Sequence, residues 1–297
     1  MFRLYYCHQH EITLPPGHKF PAEKYRLVAG LLAESRGFDL RPASPADLAD
    51  LKLAHEPDYV HSVLDGSVDP RIMRRIGFPW SPGLVARTLA SVGGTLLAAR
   101  DAMSTGFGGN LAGGTHHAFR GEGAGFCVFN DLAIAVLALR RDGLAARAAV
   151  IDLDVHQGDG TASIFEDDAE VLTVSIHGGN NFPFRKQRSS IDIALPDGTG
   201  DEEYLRRLRE VLPRVAEFRP DVIFYQAGVD ALAGDRLGRL ALSAEGLAAR
   251  DRTIFRLVKE LSVPVVVTMG GGYATPIERT AGCHARCFLE ALETWGD

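Results

Sequence analysis

The segment from Asp152 to Asp159 carries the densest chemistry in the chain. Asp152, Asp154, His156 and Asp159 fall within eight residues, in DLDVHQGDG, directly after the apolar run Ala148-Ala149-Val150-Ile151. Such a run fills a parallel sheet covered on both faces. Four ionisable groups at the end of a buried strand are not packing residues. Unpaired buried charge is too costly, so they must hold one another, an ion, or both. Asp154 and His156 are two residues apart, so both side chains face one way from an extended segment. Another buried run ends at Gln226 and delivers Asp230 in AGVD. One imidazole and two carboxylates neutralise a divalent ion and leave positions open for water and substrate. The set suits Zn2+ or Fe2+ and does not choose between them. The competing reading is a salt-bridged loop without a metal.

Two further stretches bear on the same chemistry. His116 and His117 stand in GGTHHAF. Adjacent histidines point different ways, so one can face an activated water and the other a leaving group. Each needs a carboxylate on its far nitrogen, and Asp152 and Asp159 are available. Read alone, the pair is equally a set of loop histidines bonded to backbone. Tyr273 follows Gly270-Gly271-Gly272. Its hydroxyl can donate to a developing oxyanion. The stretch lacks the lysine or the GxGxxG spacing of a phosphate cradle.

These groups need a scaffold that brings them together. Short apolar strands are predicted at Phe2 to Cys7, Leu51 to Ala54, the run opening at Ala148 and leading into Asp152, Val171 to Ile176, Ile191 to Leu195, Asp221 to Gln226 and Val263 to Thr268. Helices are predicted at Pro21 to Ser35, Pro57 to Leu64, Gly83 to Met103, Asn130 to Arg141, Thr161 to Phe165, Asp201 to Phe218, Ser243 to Glu260 and Pro276 to Trp295. Gly93-Gly94 inside a long helix marks close contact with another helix. His55 and His61 are expected at the surface or at caps, and Phe78 and Trp80 are expected exposed. Alternation of strands and helices, without repeats or a long linker, predicts a mostly parallel sheet flanked by helices on both faces, in one domain over 1–297. Such sheets bind ligands at the edge where their strands end.

Composition narrows the class. The chain has 297 residues, 46% hydrophobic and 24% charged, with a net charge of −6. That balance argues against a general binder of nucleic acid or anionic membrane. No apolar run reaches the roughly 18 residues of a membrane span, and MFRLYYCHQH lacks a secretion pattern. Cys7, Cys127, Cys283 and Cys287 show no paired CxxC spacing. Reduced cysteines in a cytoplasmic protein are expected.

Taken together, GGTHHAF, GFCVFND, DLDVHQGDG, AGVD and GGGY resemble the histone deacetylase family, in the family's order. AGVDALAGDRLGRLALS, IGFPWSP and GHKFPAEKYRLV resemble its class IV branch, which includes bacterial deacylase-like proteins. The resemblance implies an arginase-like three-layer α/β sandwich. It implies Zn2+ on Asp154, His156 and Asp230, with His116 and His117 paired to Asp152 and Asp159. It gives Tyr273 the scissile carbonyl, and makes Gly125, Phe126 and Phe182 the walls of an acyl-lysine tunnel. It adds a structural monovalent cation, K+ or Na+, near Asp152, Asp154, His156, Ser175 and Ile176. Lys24 stands where many members have an arginine beneath the site. The activity implied is hydrolysis of an N-acyl-lysine-type amide by metal-activated water, with an acylated lysine peptide or an acylated small amine as substrate. An acetylpolyamine or other small-metabolite amidohydrolase is the alternative. A catalytically silent acyl- or partner-binding module is a further one.

Overall fold

Runs rich in valine and isoleucine form the centre of the molecule because their branched side chains pack well on a pleated surface buried on both sides. The structure, a computed structural model, describes residues 1–296. Its strands are β1 (Phe2–Tyr6), β2 (Phe38–Pro42), β3 (Phe107–Asn110), β4 (Ala148–Asp152), β5 (Val171–Gly178), β6 (Ile191–Leu195), β7 (Val222–Gln226) and β8 (Val265–Thr268). They form one sheet in the order β2-β1-β3-β8-β7-β4-β5-β6. Every ladder between these strands is parallel, so the expected mostly parallel sheet is wholly so. In the central register Asp152 lies beside Gln226 on one side and Ser175 on the other.

The helices are α1 (Lys24–Ala33), α2 (Leu48–Ala54), α3 (Pro57–Asp65), α4 (Pro70–Ile76), α5 (Pro82–Thr105), α6 (Asp131–Arg141), α7 (Asp159–Ile164), α8 (Asp201–Phe218), α9 (Ala244–Leu261) and α10 (Ile277–Gly296). They form two sets. α2, α5, α6 and α7 pack among themselves, as do α1, α8, α9 and α10. Helix layers thus cover both faces of the sheet, which gives the α/β sandwich. The starts of α5, α6 and α9 are capped by Ser81, Asn130 and Ser243, whose side chains accept backbone N–H groups of the first turn.

Several local expectations are corrected. Leu51 to Ala54 belongs to helix α2, not to a strand; Leu51 and Ala54, three residues apart, are its buried apolar pair, and a four-residue apolar run does not distinguish the two forms. β2, β3 and α4 are elements that the sequence pattern did not reveal. Phe78 is buried, whereas Trp80 is exposed. His55 is buried: its Nε2 accepts the Asn130 N–H at 2.9 Å, while Nδ1 lies 3.3 Å from the Arg120 carbonyl. His61 is exposed as expected. The close approach at Gly93 is to the backbone of Ser44 rather than to a second helix; a Cβ there would strike the Ser44 carbonyl.

Candidate active site

A parallel sheet delivers all its strand ends to one edge. The adjacent strands β3, β8, β7, β4 and β5 each run there into a polar or glycine-rich loop. β3 leads to His116 and His117, β8 to Tyr273, β7 to Asp230, β4 to Asp154 and His156, and β5 to the Phe182 loop. Groups spread over more than 150 residues of sequence therefore meet around one cavity of about 310 Å³.

Asp154, His156 and Asp230 are buried, and one donor atom from each lies within 4.8 Å of the others. His156 Nδ1 lies 3.0 Å from Asp154 Oδ1 and 3.1 Å from Asp230 Oδ2. Asp230 Oδ1 accepts the Val155 N–H, whereas the buried Oδ2 has no hydrogen-bond partner. Burial and the neighbouring Asp154 carboxylate push Asp230 up to about 7. Burial opposes charge on His156, yet Asp154 and Asp230 overcome it and lift the imidazole to about 10. Two buried carboxylates that draw a proton onto a histidine between them are short of positive charge. The donor set, the orphaned oxygen and this charge deficit fit a divalent cation. Gly271 lets the third loop close over the cluster: its N–H donates to Asp154 Oδ2 at 2.7 Å, and a Cβ there would collide with the carboxylates of Asp230 and Asp154.

The tandem histidines have one carboxylate each. His116 Nδ1 lies 2.6 Å from Asp152 Oδ2, and His117 Nδ1 lies 2.6 Å from Asp159 Oδ1. Both Nε2 atoms are thereby free of that bond. Their environments push them apart. Burial works against the charge on His116, but Asp152 and Asp154 raise it to about 9. Burial and the neighbouring His116 lower His117 to about 4, against the pull of Asp159. The two surroundings thus favour the charged form of His116 and the neutral form of His117, the direction of split that acid–base chemistry uses.

Tyr273 lines the same cavity. Burial, then the Asp230 and Asp154 carboxylates, push its phenol well above the ordinary tyrosine value, so the hydroxyl keeps its proton. Gly125, Phe126 and Phe182 line the cavity as well. Phe126 adopts a left-handed backbone conformation, φ 66°, a strained geometry for a bulky residue. The end of α4 holds it there, through the Ile76 and Arg75 carbonyls, which accept the N–H groups of Phe126 and Gly125. The Phe182 ring stands edge-on to His117, with centroids 4.9 Å apart. Ser175 is buried beside Asp152 and its hydroxyl lies 2.9 Å from His177 Nδ1.

A histone deacetylase domain model matches residues 18–289. The chain belongs to the histone deacetylase family. It is 47% identical to an uncharacterised protein of Picosynechococcus sp., over 99% of each chain. It is 33% identical to histone deacetylase 2 of Arabidopsis thaliana, over 86% of this chain and 70% of that one. The crystal structure of the HDA15 HD domain superposes with a TM-score of 0.80, over 99% of this chain and 91% of that one; at 22% identity the likeness speaks for the fold. Family membership makes this protein a hydrolase of the deacetylase type.

The deacetylase site also uses residues that sequence reasoning left unassigned. The Asp131 carboxylate accepts the N–H groups of Gly114 and Thr115 and the hydroxyls of Thr95 and Thr115, at 2.5–3.0 Å. Gln226 at the end of β7 donates to the Gly114 carbonyl at 2.8 Å and accepts from Thr268. Between them they fix the loop that bears both histidines. Their signal was present as buried polar residues beside apolar runs, which must find partners; which partners was not readable. Lys24 lies beneath the site with Nζ donating to the Gly270 carbonyl at 2.9 Å, and burial lowers it to about 8.

Proposed function

We propose that this deacetylase-type enzyme hydrolyses the amide of an N-acyl-lysine side chain, with Zn2+ or Fe2+ held by Asp154, His156 and Asp230. The observation that carries the reading is the meeting, at one cavity, of a buried cluster of two carboxylates and an imidazole, two histidines each set against its own carboxylate, and a phenol that keeps its proton. Such an ion supplies Lewis acidity to the acyl carbonyl and acidifies water. Gly125, Phe126 and Phe182 hold the alkyl stem and exclude bulk water. His117, oriented by Asp159, takes the proton of the attacking water at Nε2. Tyr273 donates its hydroxyl to the oxyanion as the carbonyl carbon becomes tetrahedral. The C–N bond breaks when a histidinium, His117 after it has taken the proton, protonates the departing amine. His116 stays charged against Asp152 and stabilises the developing negative charge. A carboxylate and an ammonium group leave, the second proton on the amine coming from the hydroxyl that the attacking water left on the acyl carbon.

A monovalent cation near Asp152 and Ser175, a single catalytic unit over the whole chain and a cytoplasmic location belong to the same proposal. Free cysteines support the last. Among the described residues, no helix is long and apolar enough to cross a membrane.

The test is turnover on lysine peptides bearing acetyl through long-chain acyl groups, with acetylpolyamines in parallel, before chelation, after it, and after metal is restored. Chelation is expected to abolish peptide hydrolysis and metal to return it. Hydrolysis of polyamines alone would move the assignment to the small-amine amidohydrolases. Metal binding without turnover of any substrate would leave a binding module.

A further inference from the structure

Tyr273 follows three glycines, and two of them, Gly270 and Gly272, have positive φ. The glycines themselves give little to hold a phenol in one place. Its main chain is instead gripped from outside by the GDRLG segment. Asp235 Oδ2 accepts the Tyr273 N–H at 2.6 Å, and Arg236 Nε donates to the Tyr273 carbonyl at 2.8 Å. Adjacent residues thus bond both ends of the same residue's backbone. Asp235 is itself locked, because its Oδ1 accepts the N–H groups of Leu237 and Gly238 at 2.8 and 3.0 Å. Arg236 reaches on with Nη2 to the Lys19 carbonyl at 3.2 Å, next to Phe20 of the cavity lining. The same segment is tied to the Phe182 loop: Asn181 donates to the Leu237 carbonyl at 2.8 Å and accepts the Arg239 N–H at 3.3 Å.

We propose that Asp235 and Arg236 are positioning residues that hold Tyr273 where its hydroxyl meets the oxyanion, a role that rests on the deacylase reading above. The segment lies between Tyr273 and the Phe182 loop, so it also sets the distance from the oxyanion donor to one tunnel wall. Arg236 is exposed, unlike Tyr273, and its side chain bonds the main-chain carbonyls of Tyr273 and Lys19. Its guanidinium therefore serves backbone geometry rather than burial.

The experiment is a double-mutant cycle on an acyl-lysine peptide with metal-loaded protein, using Arg236→Gln, Arg236→Lys and Tyr273→Phe. Displacement of a reacting group by an ångström costs on the order of a hundredfold, so Arg236→Gln is expected to lower kcat roughly tenfold to a hundredfold. KM is expected to stay within about twofold, since the clamp serves a hydroxyl that acts on the oxyanion of the transition state and not on the bound substrate. Arg236→Lys, which can still donate to the Tyr273 carbonyl, should recover most of the loss. In the Tyr273→Phe background Arg236→Gln should add nothing. An equal loss in both backgrounds, or parental kcat for Arg236→Gln, overturns the proposal while leaving the deacylase reading intact. Parental turnover by Tyr273→Phe removes the oxyanion role of Tyr273 and the clamp with it. Should Tyr273→Phe turnover fall below detection, the single variants decide: a rise in KM at unchanged kcat, or equal damage by Gln and Lys, rejects the clamp.

Discussion

Two clusters of buried charge adjoin at the ends of β4 and β7, an upper one at the cavity and a lower one away from its lining, and they are solved in opposite ways. The lower cluster is balanced in charge. The Arg250 guanidinium donates to the carbonyls of Leu153 and Gly228 at 3.2 and 2.6 Å and to Asp251 at 2.9 Å, and the Tyr225 hydroxyl donates to Asp251. Arg250 Nη2 also lies 2.8 Å from the same Asp251 oxygen, outside hydrogen-bond geometry. One positive and one negative charge are present, and both carry further bonds. The upper cluster, Asp154, His156 and Asp230, sets two carboxylates against one imidazole, and Asp230 Oδ2, 3.1 Å from His156 Nδ1, makes no hydrogen bond. Both clusters are buried; their charge balance differs. A buried network that closes on itself is scaffold, and one left short of a cation is a binding site. Arg250 joins the two, since Leu153 precedes Asp154 and Gly228 precedes the Asp230 turn.

The comparison breaks most visibly at the upper cluster. Asp230→Ala is expected to reduce hydrolysis to background and to strip bound metal, as read by elemental analysis of the purified protein. Parental metal content would end the ligand assignment. Next in size, His117→Ala is expected to cost roughly 10²–10⁴ in kcat and Tyr273→Phe roughly 10²–10³, both with unchanged circular dichroism. Parental rates in either variant would withdraw the role given to that residue.

At the lower cluster the effect should be on folding. Arg250→Met leaves Asp251 buried and unpaired, a loss of about 3–5 kcal/mol in urea unfolding. Adding Asp251→Leu should restore much of it, because removing both charges is cheaper than removing one. If the double variant is no more stable than Arg250→Met, the pair is not the closed unit described above.

A smaller effect belongs to His55, which is neutral in the fold. Burial lowers it to about 4 from an ordinary 6.5. The unfolded chain therefore binds the extra proton first as pH falls. Stability from this group is complete above about pH 6.5 and is lost progressively towards pH 4, by about 3 kcal/mol in all. His55→Gln should flatten that part of the pH–stability curve. An unchanged slope between pH 6.5 and 4 would assign the acid sensitivity to other groups.

The legible parts of the molecule were those whose signal is local. β6 and α8 match the bounds read from the apolar pattern. β4, β7 and β8 were readable because each is a continuous apolar run ending in ionisable or glycine-rich chemistry. β3 was not: FGGN has two glycines in four residues and no branched side chain, and it is a strand because β1 and β8 flank it. His55 reads as a surface histidine because nothing near it in sequence reveals that Asn130 donates to it. Asp131 and Asp235 share that reason: a carboxylate in a motif is visible, but the backbone groups it accepts come from other loops.

The sequence by itself determined the alternation that makes a parallel sheet, the chemical types offered at each strand end, and the family to which the chain belongs. These follow from periodicity and residue identity. Tertiary structure alone decided that β3, β8, β7, β4 and β5 stand side by side, that His116 pairs with Asp152 and His117 with Asp159, and that the Asp235–Arg236 pair grips Tyr273. Strand order, burial and hydrogen-bond partnership are properties of distances between residues remote in the chain, and it is those distances that set the charge on each group.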